Sequence, residues 1–262
     1  MNTGLDLLGR TRSRGRGVQS PIHWAGSLDF AAESTADLDH TAASFVAAGL
    51  TWTQTGGTTY ADDLDLVSGT GLVLNMSATS STLDLNAGVG WFAGVPLSTW
   101  FGDYDQSDVI VVDAILSGIG DATAEYHGVG IGTTAATHHA GFGCLGYSAA
   151  GTLGRLGVRQ QGATAAAQVS AQAGHDTIRL IKKGYSFSVR SGASDGAGGY
   201  PTSWTRGPGA EFSDSQAPTT STLSFTHLYL VAQTGNTSNN FSPAFRCLRV
   251  GRLRLPSTIL DV

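Results

Sequence analysis

Trp91, Trp100, Tyr104, Tyr200 and Trp204 are the side chains best suited to recognition chemistry, because an aromatic face packs well on the apolar C–H face of a sugar ring. For each of them core packing is the competing role, so a stacking platform requires that they meet on one surface. Beside three of them runs Asp103-x-Asp105-x-x-Asp108. Its carboxylates are hard oxygen ligands of the kind Ca²⁺ takes from loops, and calcium is the one cofactor these residues suggest. Asp62-Asp63-x-Asp65 offers a second, less favoured set. The alternative for both is an acidic loop whose aspartates bond their own backbone. His127, His138 and His139 do not make a transition-metal set, since neighbouring residues on a strand point to opposite faces; they are expected in exposed loops. No Ser-His-Asp or Cys-His arrangement stands out, and no glycine-rich loop ends in Lys-Ser/Thr to cradle phosphate.

A third group opens the chain. Leu5, Leu7 and Leu8 precede Arg10, Arg12, Arg14 and Arg16, which alternate with small or polar residues. Residues 1–20 cannot bury enough surface to fold alone. They are read either as a disordered, soluble tail or as an extended arm whose leucines fill a partner's groove while the arginines pair with its carboxylates or phosphates. Nucleic acid is not the expected partner, because no aromatic residues are interleaved and the rest of the chain is acidic. No apolar segment follows the arginines, so a secretory signal peptide is not expected. No apolar run is long enough to span a bilayer.

The elements that must position these groups are strands. The chain has 262 residues, 36 of them glycine, with a formal net charge of −5. So much glycine, and only three glutamates (Glu33, Glu125, Glu211), argues against helices and for many turns. After Arg16 no Lys or Arg occurs until Arg155, whereas most acidic residues fall between Asp29 and Glu125. The clearest element is Asp176–Val189, DTIRLIKKGYSFSV. Ile178 and Leu180 alternate with Thr177 and Arg179, then Tyr185, Phe187 and Val189 alternate with serines, and the polar Lys182-Lys183-Gly184 between them predicts a tight hairpin. Asp108–Leu116, DVIVVDAIL, predicts a central strand covered on both faces. Short strands at regular spacing, through GVGIGT, GFGCLGY, GRLGVRQ, LSFTHLYLV and FRCLRVGRLRL, point to an antiparallel sandwich or barrel. A short helix is expected over Asp37–Ala48, and a mobile loop over Gly192–Gly199. Cys144 and Cys247 lie in strand-like runs and are expected as buried free thiols, with one inter-strand disulfide as the alternative.

The order of DTIRLIKKGYSFSVRSG, YPTSW, LYLVAQ and FRCLRVGRLRL resembles the C-terminal half of concanavalin A-like lectin/glucanase sandwiches in their laminin-G-like form, over roughly residues 70–255. The resemblance implies an all-β, antiparallel two-sheet jelly-roll sandwich (residues 21–262, core about 70–255) behind an N-terminal arm (residues 1–20). Such domains occur in adhesins, in glycan-active enzymes and in tailed-bacteriophage fibre, spike and decoration proteins. Retaining glucanases of this fold carry an E-x-D-x-x-E strand, and none of the three glutamates sits in such a context. The expectation is therefore a non-enzymatic virion structural protein, a tail fibre, spike or capsid-decoration protein assembled in a host cytoplasm. Its arm would anchor it to other virion proteins, its symmetric oligomer (a trimer) would face outward, and it would contact host surface glycan. The alternative is a free carbohydrate-binding module or a glycan-active enzyme of the same fold.

Overall fold

The computed structural model describes residues 22–38, 51–55, 64–74, 90–118, 126–132, 139–148, 151–160, 163–170, 174–184, 186–212, 225–233 and 242–253. Most of them are strand. In chain order these are β1 (Ile22–Asp29), β2 (Ala36–Leu38), β3 (Thr51–Thr55), β4 (Leu64–Val67), β5 (Gly71–Leu74), β6 (Gly90–Pro96), β7 (Val109–Ser117), β8 (Tyr126–Gly132), β9 (His139–Ser148), β10 (Gly151–Gln160), β11 (Ala163–Ser170), β12 (Thr177–Lys183), β13 (Ser186–Gly192), β14 (Thr205–Phe212), β15 (His227–Gln233) and β16 (Ala244–Leu253). A 3-10 turn at Phe30–Ala32 and a helical turn at Leu97–Trp100 join them. Among the described residues no helix is long and apolar enough to cross a membrane.

The strands form two antiparallel sheets. One runs β14-β13-β12-β7-β16-β5-β4-β2, with β1 paired to the remaining edge of β16; the other runs β11-β10-β9-β8-β15-β6-β3. This is the two-sheet jelly-roll sandwich expected from the sequence. The period-two pattern explains its core. Ile110, Val112, Ala114 and Leu116 of β7, Ile178 and Leu180 of β12, and Leu248 and Val250 of β16 face Val129 and Ile131 of β8, Leu145 of β9, and Leu228 and Leu230 of β15. The segment read as a central strand is β7, held between β12 and β16 and buried along nearly its whole length.

The predicted hairpin is present, with Gly184 at φ +57° in its turn. Lys182, however, belongs to β12 and shares the parity of Ile178 and Leu180, so it points inward and is fully buried. Glycine also does more than make turns. Phe187 fills the space that a side chain at Gly141 would need, with a built Cβ only 2.3 Å from its ring, and Val189 does the same over Gly143. These bare positions let the two sheets close around large side chains. Cys144 and Cys247 are both buried thiols outside any disulfide. The expected helix over Asp37–Ala48 is corrected at its start, where Asp37 pairs with Asp65 between β2 and β4; residues 39–48 lie outside the described residues.

Candidate functional site

A row of charged residues crosses the outer face of the larger sheet. Arg190 of β13 is in register with Arg179 of β12, Arg179 with Asp113 of β7, and Asp113 with Arg249 of β16. Asp113 is fully buried. It accepts hydrogen bonds from Arg179 Nε at 2.6 Å, Arg179 Nη2 at 2.7 Å and Arg249 Nε at 2.9 Å, while Arg249 Nη2 lies 2.8 Å away. Each guanidinium therefore presents its planar fork to one carboxylate, a geometry lysine could not supply.

Aromatic rings cover the two arginines. The Arg249 guanidinium carbon lies 3.9 Å from the Trp24 ring centre and 3.7 Å from that of Tyr200, and Arg179 lies 4.0 Å from that of Trp204. Trp24 reaches this face because β1 is irregular. Its register against β16 shifts between Trp24 and Gly26, so Ala25 is an extra residue. Gly26 and Leu28 then pair with the inward residues Val250 and Leu248, whereas Trp24 pairs with Gly251 on the outward side. Gly251 must be bare here, since a Cβ would come within 2.8 Å of both His23 O and Ile22 Cγ2.

Tyr200 and Trp204 arrive on the segment between β13 and β14. Asp195 Oδ1 accepts from the backbone N–H of Ala197 (2.9 Å) and Gly199 (2.7 Å), which holds its carboxyl below the usual range. Ser194 bonds Asp176 through both its N–H and its hydroxyl, and Arg246 Nη1 donates to Gly196 O at 3.1 Å. The glycine-rich stretch expected to be mobile is thus tied down at several points. Burial raises the Tyr200 phenol, and its oxygen has no hydrogen-bond partner among the described residues.

The five aromatics proposed from sequence do not converge. Only Tyr200 and Trp204 reach this face. Trp91 lies in β6 of the opposite sheet, and its side chain is outside the described residues. Trp100 packs inward against Gly26, where a Cβ would lie 2.5 Å from its ring, and Tyr104 is half-buried at the same edge of the core. Trp24, which its place nearer the arm sets apart in the sequence, joins this face through the irregularity at Ala25, which leaves no mark in the residue pattern.

The aspartate cluster is corrected as a calcium site. Arg252 Nη2 bonds Asp103 at 2.8 Å and Arg252 Nη1 bonds Asp108 at 3.2 Å, so a guanidinium already neutralises the carboxylates. Asp105 turns back to the N–H and hydroxyl of Ser107, both at 2.7 Å. Among the described residues no group of three His, Cys, Asp or Glu is placed to hold a metal ion. The same loop caps a buried cation. Lys182 Nζ donates to Gln106 O at 2.7 Å and lies 5.3 Å from the Tyr104 ring centre; burial pulls its pKa down to about 8. Gln106 in turn clamps the backbone of Phe225, donating to its O at 3.2 Å and accepting from its N–H at 2.9 Å.

His127 is also corrected: it is fully buried between the sheets, edge-on to Phe245, and burial lowers it to about 4. The arm residues Leu5, Leu7, Leu8, Arg10, Arg12, Arg14 and Arg16 lie outside the described residues.

No protein-family model matches the chain, and no curated protein matches it. Solved structures do. The chain is similar to the GH43 protein BlXynB from Bacillus licheniformis (TM-score 0.50, 14% identity, 72% of this chain and 34% of that one). It is similar to the xylan β-1,4-xylosidase from Bacillus halodurans C-125 (0.50, 13%, 86% and 38%). A third is the GH43B protein of a Bacteroides ovatus xyloglucan locus (0.51, 10%, 86% and 38%). At these identities the likeness is one of fold, and the chain spans about a third of the length of each of the three. These findings overturn the expectation of a non-enzymatic virion structural protein. The fold is matched by glycoside hydrolases, and none of these three supports a phage context.

Proposed function

We propose that this chain is a glycan-active protein, a sandwich that engages polysaccharide in the course of glycoside hydrolysis. Its sugar-contacting surface is the outer face formed by Trp24, Tyr200 and Trp204 over Arg179 and Arg249. One observation carries the reading: three aromatic rings, brought from β1 and from the β13–β14 segment, share one sheet face with two guanidinium groups fixed in place beneath them. Aromatic faces suit the C–H faces of pyranose rings, and guanidinium N–H groups suit their hydroxyls and ring substituents. Because Asp113 already orders both arginines, little conformational entropy remains to be lost on binding. The fold shared with xylosidases supports this direction without fixing a substrate.

Asp113 is not an acid or base in this scheme. A carboxylate wholly buried beneath two guanidinium groups has no face open to a sugar. Its work is to hold the arginines flat.

A polysaccharide array, read for binding and for release of reducing ends, tests the proposal. Retention on xylan-type polymers is expected. Trp204→Ala and Trp24→Ala should each weaken it about tenfold or more while the β-sheet circular dichroism stays unchanged. Reducing-end release in the same wells would assign turnover to this chain itself. An array with neither binding nor release would remove the proposal.

A further inference from the structure

The row of arginines extends past the reach of Asp113. Arg190 stands opposite Arg179 on one side and opposite Arg206 of β14 on the other. Read across the sheet, the register runs Arg206, Arg190, Arg179, Asp113, Arg249: four basic residues against one acidic residue. Arg179 and Arg249 share that carboxylate, whereas Arg190 pairs with no carboxylate among the residues whose side chains the structure describes. The acidic residue of β14, Glu211, is in register with Ser188, on the far side of the irregularity between Ser188 and Arg190. Like charges directly opposite one another in an antiparallel pair destabilise a sheet. A row of this kind, next to a ring that stacks on its neighbour Arg179, is the arrangement expected where an anion is to be received.

We infer that Arg190, opposite Arg179 and the Trp204 ring that stacks on Arg179, selects polysaccharides that carry negative groups, either uronic-acid carboxylates or sulfate esters. The inference rests on the proposed function and sharpens its substrate class. A sugar ring stacks on the half-buried aromatic rings, and its anionic substituent takes charge-assisted hydrogen bonds from Arg190. No bond is made or broken in this step.

The test uses the whole chain and four probes at low ionic strength: glucuronate-bearing xylan, the same xylan with its carboxyl groups reduced to alcohols, the reduced xylan after sulfation, and a single-stranded oligonucleotide. Binding to the glucuronate form is expected to be about tenfold or more tighter than to the reduced form, with the gap closing as salt is added. Recovery of affinity on sulfation would extend the class to sulfate esters, and its absence would restrict it to carboxylates. Arg190→Gln should bring the ratio of glucuronate to reduced binding close to one. It should melt no lower than the wild type, because it relieves like-charge repulsion, and Arg190→Lys should keep most of the preference. Equal binding of glucuronate and reduced xylan would overturn the inference and leave the proposed function standing. Binding of neither would remove the proposed function itself. An oligonucleotide held as tightly as glucuronate xylan would also overturn the inference, since the surface would then be an unselective polyanion site.

Discussion

Asp113 and Lys182 lie on neighbouring strands, and both are charged groups with no solvent exposure, yet their situations differ. Asp113 is fully compensated: both its oxygens face guanidinium donors. Removing it strands two arginines whose outer faces are covered by rings, so Asp113→Ala should cost about 3–5 kcal/mol in urea unfolding. A loss below about 1 kcal/mol would mean that the arginines are held by their rings alone. Lys182 is compensated only in part, by one carbonyl, one ring face and the nearby Asp105 and Asp108 carboxylates. Burial lowers its pKa from 10.5 to about 8, so the unfolded chain binds this proton more tightly than the native one. Stability attributable to this group is therefore greatest above pH 10.5 and is lost as pH falls through 8. Relative to Lys182→Met, the wild type should gain roughly 3 kcal/mol between pH 7 and pH 10.5. A flat difference across that range would show that Lys182 reaches water.

At the scale of the element, β1 decides whether the aromatic cover exists. Ala25 is the extra residue that lets Gly26 and Leu28 face inward while Trp24 faces outward. Deleting it would make Trp24↔Gly251 and Gly26↔Val250 consecutive pairs in strict alternation, so the indole would still face outward. The deletion variant should therefore keep the Trp24–Arg249 stack, and loss of the stack would contradict this register. Gly26→Ala is the harsher probe. Its Cβ would meet the Trp100 ring at 2.5 Å, which calls for a loss of about 1–3 kcal/mol, read as a shift in urea midpoint. The strands themselves were legible in the sequence: Ile178, Leu180, Phe187 and Val189 alternate as the sheet requires, and Val109–Ser117 reads as buried because it is. Lys182 was not legible. Beside Lys183 and Gly184 it looks like turn chemistry, and only the register shows that the chain is still in strand there.

Across the whole molecule, the pattern of legibility has a physical cause. A fold is announced by local periodicity, which one chain displays. A site built across a sheet is announced by register, which pairs residues far apart in sequence. Asp113, Arg179, Arg190 and Arg249 share a row although long stretches of chain separate them, and Arg252 closes the Asp103–Asp108 cluster from 144 and 149 residues away. The aspartate cluster read as calcium ligands because its counter-cation was out of local view. The glycines read as turns because their contacts with Phe187 and Val189 come from the other sheet. Tyr200 and Trp204 were found, being close in sequence, while Trp24 was reached only through the irregular strand. The expectation of a virion role rests on the basic N-terminal arm, the resemblance and the Gly/Ala/Thr-rich body, and the structures that share this fold do not bear it out.

The central claim is that sugar meets the outer face of the larger sheet, at Trp24 and Trp204. The chain has five tryptophans, so its indole N–H region in a proton–nitrogen correlation spectrum is simple enough to assign by single substitutions. Titration with glucuronate-bearing xylo-oligosaccharide should move the Trp24 and Trp204 indole signals along one common saturation curve and leave that of Trp100, packed inward on Gly26, in place. Movement of Trp100 with Trp24 and Trp204 unmoved would put the sugar elsewhere and contradict the account.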